Sequence, residues 1–112
     1  MYAKRKPQPP PLHLPTRIRI GKRLYSIDVV ETLINKGDMA RHYPALQKIK
    51  IAQRSNLTGK RYTSDDLNDS FWHEIVHAIL HDMEEHELNK NERFVTAFAA
   101  RLTKAIKSAR FK

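Results

Sequence analysis

The spacing of apolar and polar positions changes character twice along the chain. Residues 1–15 show no periodicity and hold five of the six prolines, including Pro9-Pro10-Pro11. Proline removes backbone donors and favours extended geometry, so this stretch reads as a disordered or extended arm. Alternation then begins. Arg17-Ile18-Arg19-Ile20 and Arg23-Leu24-Tyr25-Ser26-Ile27-Asp28-Val29-Val30 flank Gly21-Lys22, which predicts a β-hairpin. Residues 31–36 suit a short helical turn, and Gly37-Asp38 punctuates it. Residues 39–43 predict a short strand that breaks at Pro44. Lys48-Ile49-Lys50-Ile51-Ala52 alternates again as the clearest third strand, and residues 56–60 read as a loop.

At Thr63-Ser64-Asp65-Asp66 the period becomes helical. A hydroxyl residue followed by acids satisfies orphan N–H groups and suits the helix dipole. From there to about Met83, Leu67, Phe71, Trp72, Ile75, Val76, Ile79, Leu80 and Met83 cover more than one face, so the helix is expected to be buried on several sides. Residues 84–90 read as a polar connection. A second helix starts near Asn89 or Asn91 and runs to about Ser108, with a stripe of Val95, Phe98, Ala99, Leu102 and Ile106. Strands first and helices after predict an α+β fold: a small antiparallel sheet packed against a central helix and a second, C-terminal helix. Residues 16–112 are expected to form one domain.

Charge adds layout. The 112 residues carry 21 Lys+Arg against 12 Asp+Glu, a net charge of +9. Residues 1–23 hold seven bases and no acid, and residues 101–112 hold five bases and no acid, whereas residues 65–92 hold nine acids and one base, Lys90. The ends are basic and the middle acidic. Basic ends aid solubility or contact an acidic partner or nucleic acid, but no aromatic residues interleave the bases in a stacking pattern and no nucleic-acid motif is present. The absence of cysteine excludes a disulfide scaffold, Cys-ligated zinc, iron–sulfur clusters and a thiol nucleophile. With no apolar run of membrane length and no signal-like N-terminus, a cytoplasmic protein without a membrane partner is expected.

Four of the six histidines fall in residues 73–86. The central helix reads Phe71-Trp72-His73-Glu74-Ile75-Val76-His77-Ala78-Ile79-Leu80-His81, and His73-Glu74-x-x-His77 is the H-E-x-x-H pattern of zinc hydrolases. Residues i and i+4 stand ~6 Å apart along the axis and ~40° apart around it, so two imidazoles converge on one ion. Glu74, ~100° round from His73, can face a water without ligating the metal and take its proton as general base. The competing reading is a helix with surface histidines and a coincidental Glu. A third ligand is needed. His81 lies ~12 Å from His73 along the axis, too far for one straight helix. His86 lacks the glycine that turns the chain in the extended three-His motif. Glu92 steps with Val95, Ala99 and Leu102 on the stripe of the second helix, where a carboxylate is costly unless it is paired or bound to metal. Asp69, one turn before His73, is a candidate to orient its imidazole. His42 and Tyr43 could stabilise an oxyanion, but nothing in the sequence places them at the site. Trp72 and Phe71 read as core, and His13 as an exposed arm residue.

His73-Glu74-Ile75-Val76-His77-Ala78-Ile79, followed by Asn91-Glu92-Arg93-Phe94-Val95-Thr96-Ala97-Phe98-Ala99, resembles the ImmA/IrrE-type zinc metallopeptidases, most nearly their small phage and prophage members. The likeness covers the last fifty residues well and the hairpin and the strand at residues 48–52 weakly. Position 95 is Val and 96 Thr where larger members often carry Ala-Asn. The resemblance implies a minimal zincin-like fold, Zn²⁺ held by His73, His77 and Glu92, Glu74 as base, and a bacterial or phage-infected host cytoplasm. The leading expectation is a metallopeptidase that hydrolyses a peptide or protein substrate, with an extended peptide added to an edge strand such as residues 48–52. The alternative is a non-catalytic zinc-binding phage regulatory or interaction protein whose basic ends contact nucleic acid or a protein partner.

Overall fold

The computed structural model describes residues 14–33 and 37–111. Its elements are β1 (Arg17–Ile20), β2 (Arg23–Val30), β3 (Ala40–Tyr43), a 3₁₀ turn (Pro44–Leu46), β4 (Lys48–Ala52), α1 (Ser64–Asp82), α2 (His86–Lys90) and α3 (Glu92–Ser108). The fold is α+β. Most of the proline-rich arm and residues 34–36 of the expected helical turn lie outside the described residues, and residues 31–33 are not helical. Among the described residues no helix is long and apolar enough to cross a membrane.

The strands form one four-stranded sheet in the order β1-β2-β4-β3. The sheet is mixed, which corrects the expected antiparallel arrangement. β1–β2 and β4–β3 are antiparallel, but β2 and β4 run parallel, with Ile27 opposite Ile49 and Val29 opposite Ile51. The chain leaves β2, forms β3 as the outer strand and turns back through Pro44–Leu46 and Gln47. Gln47 adopts the left-handed conformation (φ 51°), and its N–H bonds the Pro44 carbonyl. That tight return puts β4 between β2 and β3. The strand at residues 48–52 is therefore interior, and the edges are β1 and β3.

The hairpin turn requires its glycine. Gly21 has φ +60°, and a Cβ there would stand 2.3 Å from the Asp82 carboxylate at the end of α1. Arg23 reaches the same carboxylate at 3.3 Å. The turn is thus seated against the helix C-terminus by a close approach that only glycine permits.

Alternation along the strands places Ile20, Tyr25, Ile27, Ile49 and Ile51 on one face, where they meet Leu67, Phe71, Ile75 and Ala78 of α1. Thr63 caps α1, its hydroxyl accepting the Asp66 N–H at 3.1 Å, with Asp65 and Asp66 in the first turn. A second cluster, Val76, Leu80, Val95 and Ala99, joins α1 to α3. Glu92 sits beside His77 while Lys107 sits beside Asp65, so the two helices are antiparallel. Asn91 caps α3 by accepting the Phe94 N–H. The expected stripe of α3 is only partly buried, since Phe98 and Ile106 stay exposed and Thr103 takes an inner place.

Residues 84–90 are more than a connection. α1 ends in a left-handed Glu84 (φ 60°), whose N–H bonds the His81 carbonyl while the Glu85 N–H bonds the Leu80 carbonyl. This is the Schellman pattern, with Glu where glycine is usual. The chain turns without glycine, and the short helix α2 follows.

Candidate metal centre and cleft

Two sectors of α1 are taken by the sheet and by α3. The sector carrying His73, Glu74 and His77 opens instead into a cleft of about 420 Å³. Ala40, Arg41 and His42 of β3 form one wall, His86, Asn89 and Lys90 of α2 another, and Glu92 closes the end. Capping decides the last placement. Because Asn91 caps α3, Glu92 is its first residue and projects toward the His pair.

His73, His77 and Glu92 converge, their ligating atoms all within 4.8 Å of one another. His73 Nε2 stands 3.1 Å from Glu92 Oε1, and His77 Nε2 stands 3.0 Å from Glu92 Oε2. Ligands ~2.05 Å from a tetrahedral ion stand ~3.3 Å apart, so both His–Glu92 separations are within a few tenths of an ångström of that spacing. Two imidazoles and a carboxylate are also the donor set for an open catalytic site. The residues present therefore fit a metal ion. The reason for choosing Glu92 from sequence does need correcting. Its side chain is 65% exposed, at the head of α3, not buried on the stripe.

His77 Nδ1 lies 2.5 Å from Asn89 Oδ1. Both nitrogens of this ring face acceptors, Asn89 and Glu92. A metal ion bound at Nε2 would suit that geometry. Asn89, on α2, is the residue that sequence reasoning missed, because a five-residue helix carries no readable period. Asp69 takes another role in the structure. Its carboxylate faces Lys107 of α3 at 4.0 Å, and no bond from it to a site imidazole is present among the described residues.

The electrostatics follow from burial. His73 is pushed below the ordinary histidine range, chiefly because it is buried, although the Glu92 carboxylate pulls the other way. It is held in the neutral form that ligates metals. Glu74 is pushed up to about 7. Burial is the main cause, Glu92 and Asp38 add to it, and His77 and Arg41 oppose it. A carboxylate poised near neutrality suits a general base.

His42 also faces the cleft. It lies 3.0 Å from the Tyr25 hydroxyl, and its ring is 5.8 Å from that of His81, which in turn is 6.4 Å from His86. Burial first, then His81 and His77, lower its pKa to about 4. His81 and His86 stand beside the His73/His77/Glu92 group rather than in it. Tyr43 points away from the cleft, against Lys50. Phe71 is fully buried, and Trp72 packs against its ring at 5.0 Å.

No family model matches the chain, and no curated protein or solved structure matches it. The centre is thus read from its own geometry: a His-His-Glu group able to hold a metal ion, with a carboxylic acid beside it in a cleft.

Proposed function

We propose that the chain is a zinc-dependent metallopeptidase of minimal zincin-like form, with His73, His77 and Glu92 holding Zn²⁺ and Glu74 as general base. The observation that carries this reading is the convergence of the three donor atoms beside Glu74. The resemblance of residues 73–79 and 91–99 to the ImmA/IrrE-type metallopeptidases supports it.

When bound, zinc supplies a Lewis acid that lowers the pKa of a water and polarises a carbonyl. The chain's own residues do the rest. Glu74 accepts the proton of the attacking water at its carboxylate and passes it to the leaving amine. Water thus adds across the peptide C–N bond, giving a carboxylate and an amine. Asn89 holds the His77 ring so that Nε2 faces the centre. His42, kept neutral by burial, offers one N–H donor for negative charge on the substrate carbonyl oxygen. β3 is the edge strand beside the cleft, so an extended peptide would pair there, in place of the strand at residues 48–52.

The test is hydrolysis of a peptide library by the zinc-loaded protein. Cleavage is expected in the wild type and is lost in Glu74→Gln with zinc retained. A zinc-loaded wild type that cleaves nothing contradicts the peptidase reading and leaves the non-catalytic zinc-binding module.

A further inference from the structure

The helices all lie on one side of the sheet. α1 covers the inner face, and α2 and α3 pack on α1. Outward residues of the other face follow from the alternation. β1 contributes Arg17 and Arg19, β2 contributes Leu24, Ser26 and Asp28, β4 contributes Lys48 and Lys50, and β3 contributes Tyr43. None of these is buried, and Arg17, Arg19 and Leu24 are exposed. The same parity reaches half-buried Val30 and fully buried Ala52 at the ends of β2 and β4, so the open part of the face is the end carrying Arg17, Ser26, Lys48 and Tyr43.

Register assembles them. Arg17, Ser26, Lys48 and Tyr43 stand opposite one another in one row across all four strands. Three inter-strand gaps of ~4.8 Å make that row ~14 Å wide. Arg19 and Lys50 lie two residues along their strands, ~6.7 Å away. Asp28 is the one acid among these strand residues, and it is spent on Lys48 at 2.9 Å. Arg17 and Arg19 have no ion-pair partner among the described residues, and the Lys50 ammonium lies over the Tyr43 ring at 5.6 Å. The chain that enters β1 brings Lys4, Arg5 and Lys6 in sequence. Nine of the twelve acids fall in residues 65–92, in the helical layer. Charge is therefore divided by layer as well as along the chain.

We propose that this open sheet face binds single-stranded nucleic acid. Unpaired cations at strand spacing neutralise successive phosphates, and Tyr43 offers a ring on which a base stacks. The sequence shows no stacking pattern of aromatics among its bases, yet the register puts Tyr43 beside Lys48 and Lys50. An anionic membrane is the poorer match, because Leu24 is the one exposed large apolar side chain of this face. The site is separate from the metal centre and does not depend on it.

The probe is a fluorescein-labelled oligothymidylate, followed by anisotropy across a salt series. Binding should weaken with salt, and Arg17→Glu/Arg19→Glu should flatten the log–log slope by about 1.4, two phosphate contacts for a single strand. Tyr43→Leu should weaken binding roughly tenfold at every salt concentration. Lys104→Glu/Arg110→Glu, on α3 and just beyond it, should bind as the wild type does, and thermal melts should show all variants folded. Unchanged binding in the β1 double variant overturns the proposal. So does loss of binding confined to the α3 variant, and so does a wild type that binds phosphatidylglycerol vesicles but not the oligonucleotide.

Discussion

Asn89→Ala tests whether α2 exists to orient the metal site. Asn89 Oδ1 lies 2.5 Å from His77 Nδ1, and the His77 side chain is only 17% exposed. With Asn89 in place, Nδ1 is engaged and Nε2 is aimed at Glu92 and the centre. Removing the amide frees the ring to rotate about its terminal torsion and to exchange tautomers. Loss of such a partner ordinarily weakens metal binding 10- to 100-fold, about 1.4 to 2.7 kcal/mol. The part-buried hydrogen bond itself is worth only about 1 kcal/mol of folding stability. The variant should therefore stay folded, and its larger deficit should be in zinc affinity. The assay is competition for zinc against a chromophoric chelator, with Asn89→Asp as a control that keeps the acceptor and adds charge. Asn89→Asp should bind at least as tightly as the wild type. An Asn89→Ala variant within twofold of wild-type affinity refutes the reasoning.

Other consequences can be read from stability. Gly21→Ala should cost about 2 kcal/mol in urea unfolding, since it strains a φ of +60° and drives a methyl into the Asp82 carboxylate. Glu84→Gly should stabilise by about 0.5 to 1 kcal/mol, because glycine adopts the left-handed cap without strain. In metal-free protein, His42 should make folding pH-dependent. Its folded pKa of about 4 lies below the unfolded 6.5, so its contribution is complete above pH 6.5 and is lost as pH falls toward 4. Glu74, raised to about 7, acts in the opposite sense. The comparison is therefore Glu74→Gln against Glu74→Gln/His42→Gln, where the steeper acid loss of the first should be about 1 to 2 kcal/mol after solvent screening. Equal pH slopes in the two variants would contradict it.

Local signals were legible in the sequence and non-local ones were not. Thr63 with Asp65 and Asp66 marked the start of α1, and Gly21-Lys22 marked the hairpin, because caps and turns are decided by adjacent residues. The parallel pairing of β2 with β4 was not legible. It depends on the return through β3 and residues 44–47, and alternation says nothing of strand order. That same return carries His42 to the cleft and turns the 48–52 strand inward. The missing glycine spoke against His86 as a ligand, and His86 stands outside the His73/His77/Glu92 group. The turn itself needs no glycine, because Glu84 holds a left-handed conformation through two backbone bonds. Glu92 was found through a period that put it on a buried stripe. What sets its place is the Asn91 cap, which makes it the first residue of α3 and leaves it mostly exposed.

The most direct test of the central claim is zinc per chain, measured by elemental analysis after dialysis against a zinc buffer. The account predicts one equivalent in the wild type and in Glu74→Gln, and almost none in His77→Ala. A wild type that retains no zinc, or a His77→Ala variant that retains one equivalent, would contradict it.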